Sequence, residues 1–150
     1  MAMWKDVEDD EPEFAALVRR LFEANKHLTM ATIRADGAPR ISGTECSFAD
    51  GELTFGSMSG ARKGADLRRD PRLALHSATV DPPEGNNAGW QGDAKIAGTA
   101  VYAGDVDDQD GDLFRVDITE VVHTGLDEAA TKLVVRTWKP RQGLRRIERS

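Results

Sequence analysis

The segment Gly56-Ser57-Met58-Ser59-Gly60-Ala61-Arg62-Lys63 lies between a predicted strand and a predicted helix, and its residue types suit the capture of an anion. Arg62 and Lys63 fall in the first turn of that helix, where unpaired N–H groups and the macrodipole already make the potential positive. Two cations there are unfavourable on their own. A phosphate held by helix N–H groups, the Ser57 and Ser59 hydroxyls and both cations relieves the conflict. Two solvated cations carrying a small penalty are the reading that spacing alone leaves open. The spacing is not that of a P-loop, and no Gly-x-Gly-x-x-Gly is present.

A second candidate is the strand segment Arg40-Ile41-Ser42-Gly43-Thr44-Glu45. One face carries Arg40, Ser42 and Thr44, and Gly43 admits a backbone or flat ligand at close range; a solvent-facing strand side is the competing reading. Trp90 and Trp138 offer rigid flat area for stacking or for capping a pocket, or else pack ordinarily. His27, His76 and His123 show no metal-ligand spacing, and the lone Cys46 excludes a zinc set and an internal disulfide, so no metal site is expected. The Asp-rich stretch Val106–Asp117 places Asp108, Asp110 and Asp117 in phase with a calcium loop, but Val106 occupies the first ligand position and a solvated turn is expected. No Gly-x-Ser-x-Gly elbow, carboxylate pair or Tyr–Lys couple licenses a named catalytic residue.

The elements that must position these residues follow from periodicity and turn chemistry. Met1–Pro12 reads as an acidic tail with no apolar signal segment, and Phe14, Leu17, Val18, Leu21 and Phe22 define an amphipathic helix after Pro12. Strands at Leu28–Arg34, Pro39–Phe48 and Leu53–Gly56, separated by Asp36-Gly37 and Asp50-Gly51, predict a three-strand meander. A helix over Ser59–Arg69 takes Ser59 as N-cap, turns Leu67 inward and stops before Pro71. Leu73–Val80, Ala94–Ala103, Leu113–Thr124 and Leu133–Trp138 read as strands, Gly143–Glu148 as a short last one, and Asp81–Gly92 as a long loop bordering a pocket. The fold expected is α+β, mainly β: a small antiparallel barrel of six or seven strands with two or more flanking helices.

At 150 residues, 39% hydrophobic, the chain suits one domain, 1–150, and is not a disordered one; no apolar run approaches the ~18 residues of a membrane span. Its net charge of −6 argues against general nucleic-acid or anionic-membrane binding, and its single cysteine fits a reducing, cytoplasmic setting. The charge is segregated. Acid clusters before Phe14 and around Asp105–Asp112, and base clusters at Arg62–Arg72 and after Lys132, which leaves room for a local anion site.

Leu28–Arg34, the Asp36-Gly37 hairpin, Arg40–Glu45, Leu53–Ser57 and Arg62-Lys63 followed by Ala65-Asp66-Leu67-Arg68-Arg69-Asp70-Pro71-Arg72 together resemble the pyridoxamine 5′-phosphate oxidase-like family of split β-barrel flavin and deazaflavin oxidoreductases. The resemblance covers Leu28 to Ala103 well and the remainder loosely. It implies a homodimer with FMN, or alternatively a deazaflavin, bound between subunits. Arg40, Ile41 and Ser42 would line the ring or ribityl side, Gly56 and Ser57 would meet the phosphate end, and Arg62 and Lys63 would pair with the phosphate. His123, Thr124 and Trp138 are candidates for the contacts of a partner subunit. The implied activity is hydride transfer to or from a small organic substrate, with a non-catalytic flavin or phosphate-ligand binder as the alternative. A barrel that keeps only a dimerising role is a third reading. Two departures argue against pyridoxamine phosphate oxidation itself: Glu45 stands where the family's oxidases carry lysine, and their C-terminal Arg-Leu-His-Asp-Arg motif is missing.

Overall fold

Two short helices open the chain, α1 (Trp4–Asp10) and α2 (Pro12–Glu23). The first replaces the expected acidic tail. Its reason is packing: Trp4 and Val7, one turn apart, are buried, and the Trp4 ring meets Phe48 edge-on at 4.8 Å. The acids stay outside, and Asp6 turns back to accept the Met3 N–H at 2.8 Å. Helix α2 sits where its periodicity predicts, burying Phe14, Ala15, Val18, Leu21 and Phe22.

The computed structural model describes residues 1–105 and 111–150, so the centre of the Asp-rich stretch, and the calcium-loop question with it, lies outside the described residues. Strands are β1 (Leu28–Ile33), β2 (Pro39–Thr44), β3 (Cys46–Ala49), β4 (Glu52–Met58), β5 (Arg72–His76), β6 (Asp93–Asp105), β7 (Gly111–Leu126), β8 (Leu133–Lys139) and β9 (Gly143–Arg149). Helix α3 (Arg62–Arg69) links β4 to β5. Nine described strands exceed the six or seven expected. Pro39–Phe48 breaks at Glu45 into β2 and β3, and the tail forms a full strand on β8.

All pairings are antiparallel, in the order β2-β1-β5-β6-β7-β4-β3, with β8 and β9 branching from β7. The expected three-strand meander is therefore wrong in one step. Both Asp-Gly turns make hairpins, but β2 and β3 lie at opposite ends of the sheet order. Asp50 (φ 53) and Gly51 (φ 77) supply the left-handed pair that a two-residue hairpin needs. The 16-residue β7 pairs with β6 along its length, with β4 at Gly111–Arg115 and with β8 at Val121–Leu126. That fork splits the sheet, which does not close. The apolar face of α2 packs with Met30, Leu53, Leu75, Ile96, Ile118 and Val121 in one core.

Helix α3 starts later than expected. Ala61, not Ser59, is its N-cap residue, because the Ala61 N–H turns back onto Met58 O (3.0 Å) through Gly60 at φ 78. No side chain caps this end, which leaves its first N–H groups to other acceptors. Strand β5 stops at His76, short of the expected Val80.

Candidate functional site

The first turn of α3 lies against the outer end of β4. Gly64 has no side chain where a Cβ would sit 2.7 Å from Ser57 Oγ, so the Ser57 hydroxyl faces that turn directly. Beside it is a cavity of about 530 Å³ lined by Gly43, Thr44, Glu45, Gly56, Ser57 and Lys63, among others. Thr44 and Ser57 are buried, 4% and 3% exposed, and neither hydroxyl has a hydrogen-bond partner among the described residues. An unpaired buried hydroxyl costs about 1–3 kcal/mol, so two in one cavity mark a place prepared for a polar ligand.

Lys63 reaches across the opening, its Nζ donating to Gly43 O at 2.9 Å. Burial holds its pKa below the ordinary lysine value, opposed by Cys46 and Glu45. An anion entering here would restore what burial removes. Burial pushes the Cys46 thiol up to about 12, against the pull of Lys63, which leaves it protonated and inert. At the rim, Glu45 Oε1 is 3.3 Å from His27 Nε2 and 3.8 Å from Lys26 Nζ.

Arg40 is not on a solvent-facing strand side. Its Nε donates to Asp66 Oδ2 at 2.7 Å, and the same oxygen accepts the Thr32 hydroxyl at 2.7 Å, while Arg69 reaches the other oxygen at 3.3 Å. Burial alone would raise the Asp66 pKa; the hydrogen bonds from Arg40, Thr32 and Arg69 outweigh it and hold the carboxylate below its ordinary value. This network clamps α3 to β1 and β2, and so fixes Lys63 over the cavity.

The structure thus brings Gly56, Ser57 and Lys63 to one cavity, adds Thr44 and Glu45, and leaves Arg62 exposed on the same helical turn. Ser42 is half-buried on β2, and Ile41, 75% exposed, points to the opposite face. Trp138, His123 and Thr124 stand at the other end of β7. Val121, which pairs with Trp138, is nine residues from Asp112, which pairs with Ser57, or about 30 Å of extended strand. Trp138 is 3% exposed and donates its indole N–H to Asp10 at 2.7 Å. His123 is buried, with Nε2 3.1 Å from Gln91 O and Nδ1 3.3 Å from Arg136; burial keeps its pKa below the ordinary histidine value.

Thr44 stood on the polar face read from Arg40–Glu45, and Asp66 is the residue that sequence reasoning gave no role. The available signal for Asp66 was one acid beside the inward Leu67 among Arg62, Lys63, Arg68 and Arg69. A second, wider cavity of about 820 Å³ runs over the outer face of β1, β5 and β6 and shares His27 with the first. Among the described residues no group of three or more His, Cys, Asp or Glu is placed to hold a metal, and no helix is long and apolar enough to cross a membrane.

A forked antiparallel sheet with an uncapped, cation-bearing helix at the rim of a polar cavity defines an α+β split-barrel domain with an anion-suited site. The family model for pyridoxamine 5′-phosphate oxidase matches residues 14–131, and the chain belongs to that family. No curated protein matches the sequence. Among solved structures, it is similar to a pyridoxamine 5′-phosphate oxidase-related, FMN binding protein from Nostoc punctiforme PCC 73102 (11% identity, covering 100% of this chain and 98% of that one, TM-score 0.66). PhzG from Burkholderia lata 383, in complex with tetrahydrophenazine-1-carboxylic acid, is 14% identical (99% and 96% covered, TM-score 0.65). An F420 reductase is 17% identical (67% and 92% covered, TM-score 0.54). At these identities the likeness establishes the fold.

Proposed function

We propose that this chain is a cofactor-dependent oxidoreductase of its family that binds FMN, or alternatively a deazaflavin, and moves a hydride to or from a small organic substrate. The observation that carries the reading is the pair of buried hydroxyls, Thr44 and Ser57, without partners among the described residues, in a cavity that Lys63 spans. A ribityl phosphate supplies what this donor set lacks: acceptor oxygens for two hydroxyls and the open α3 N–H groups, and negative charge for Lys63 and Arg62. Family membership and the FMN- and F420-named neighbours support the cofactor class. When bound, the ring of such a cofactor carries the redox step, and the protein supplies binding, orientation and electrostatics. Ser57 and Thr44 orient, Lys63 and Arg62 neutralise charge, and Asp66 with Arg40 holds the helix that bears them. Glu45 at the rim disfavours a second anionic group there, in keeping with a substrate other than pyridoxamine phosphate.

Titrating FMN and a deazaflavin in parallel, read by fluorescence quenching, tests the assignment. The wild type is expected to bind at least one saturably, and the Arg62→Ala/Lys63→Ala double variant to lose most of that affinity while still melting cooperatively. Unchanged affinity in the folded variant overturns the phosphate site. Turnover separates the enzyme from a non-catalytic binder: a binder would not speed reoxidation of the reduced cofactor by any substrate.

A further inference from the structure

The loop following β5 closes a further ligand-sized cavity, about 560 Å³, against the turn between β7 and β8. Its walls are already built. Asn86 N–H donates to Pro83 O (2.9 Å) and Trp90 N–H to Asn87 O (3.2 Å) around a single 3₁₀ turn, Asn87–Gly89. The far end is pinned: Gln91 O meets His123 Nε2, and Gly92, at φ +88, packs where a Cβ would lie 2.2 Å from Thr124 O. Val80, Trp90, Leu126 and Leu133 line the space, and Val80 and Leu133 are left 49% and 40% exposed, large apolar side chains facing an opening.

Among the described residues, the charged groups that line this space are Asp81 and Asp93, and no lysine or arginine joins them. Asp93 approaches His76 Nε2 only at 3.9 Å, beyond hydrogen-bond range. The cavity shares no lining residue with the Lys63 cavity, where Glu45 and Lys63 carry both signs of charge. Carboxylates beside an aromatic face select one ligand chemistry, because an indole ring attracts a cation within about 6 Å of its centroid and a carboxylate pairs with it directly. We propose that this cavity binds a small organic cation with an aromatic or aliphatic body, the body resting on Trp90, Leu126 and Leu133 and the ammonium meeting Asp81 and Asp93.

The probes are phenethylammonium, neutral 2-phenylethanol and anionic phenylacetate, titrated calorimetrically into the full-length protein. Phenethylammonium is expected to saturate one site at least about tenfold more tightly than either analogue. The Asp81→Asn/Asp93→Asn double variant is expected to lose that advantage while keeping its melting temperature and its FMN response. Trp90→Leu, which removes the ring and leaves the charges, should weaken the ammonium and the alcohol alike. The proposal is overturned if no probe saturates, if the alcohol binds as tightly as the ammonium, or if either variant binds the ammonium unchanged.

Discussion

Ser57 carries a conflict that a ligand would resolve. In the free protein its hydroxyl is buried without a partner among the described residues, so removing it relieves a penalty, while any anion in the cavity loses a donor. Ser57→Ala is therefore expected to leave the free protein as stable or up to about 1 kcal/mol more stable, and to weaken FMN binding about tenfold. Paired melting curves with and without FMN check both halves, and a variant destabilised in both states would refute the assignment. Asp66 behaves in the opposite way. Asp66→Asn leaves Arg40, 16% exposed, without its carboxylate, a loss of about 3–5 kcal/mol. Its folded pKa is depressed, so its contribution is fully present above the ordinary carboxylate value of 3.8 and disappears as pH falls through the lower folded value. The stability gap between variant and parent should thus narrow below pH 3.8 in denaturant titrations; a constant gap would show that the charge of Asp66 is not what matters. Ser57 and Lys63 were legible in the sequence because cations at a helix start are a local contradiction. The burial of Thr44, though it was read on a polar strand face, and the role of Asp66 were not, since whether a polar side chain is buried depends on which strand arrives opposite it.

Local chemistry also decided which elements could be read. The Asp-Gly hairpins and the stop at Pro71 were legible because backbone conformation is set within a few residues. The separation of β2 from β3 was not, since pairing partners come from distant parts of the chain. Helix α1 was hidden by its acids, which outnumber the Trp4 and Val7 that seat it. The β6–β7 pair holds the fork together, and its register shifts between Ala97 and Gly98, where Ala97 faces Glu120 and Gly98 faces Ile118. A Cβ on Gly98 would stand 2.1 Å from Asp117 O, a backbone atom that cannot swing aside. Gly98→Ala should therefore lower the melting temperature by more than about 10 °C, the shift expected for a loss of 3 kcal/mol or more in a domain of this size. Gly64→Ala is the useful contrast, because its Cβ would meet only the Ser57 hydroxyl, which can rotate. There the gain in helix propensity, about 1 kcal/mol, offsets the contact, and the expected loss is in FMN affinity instead. Equal melting temperatures for the two variants would remove the distinction between a bulge that builds the sheet and a gap that serves the cavity.

One chain does not cover its own sheet. Ile41, Ala31, Ala74, Ala97 and Glu120 pair in sequence across β2, β1, β5, β6 and β7, so a row of small residues crosses the outer face between one exposed isoleucine and one acid. Alanine is a poor strand former, and three in register leave a smooth surface that another backbone can approach closely. The cavity along this face shares His27 with the Lys63 cavity, so whatever covers the face also borders the proposed cofactor site. A second copy of the chain is the occupant we propose, and a stable pair would bury about 800 Å² on each partner. The net charge of −6 does not oppose this, because four of the acids sit in α1 and this face carries Lys95 and His76 beside Glu120. Ala74→Arg places a long cation at the centre of the row, on an exposed position that the monomer fold does not need. Light scattering is expected to report a dimer for the wild type and a monomer for this variant, with an unchanged far-ultraviolet spectrum. FMN affinity is expected to fall in the same variant although Thr44, Ser57 and Lys63 are untouched, if the proposed second copy borders the site. A dimer that survives Ala74→Arg would move the interface elsewhere, and a monomer that binds FMN as tightly as the wild type would show that one chain holds the whole site.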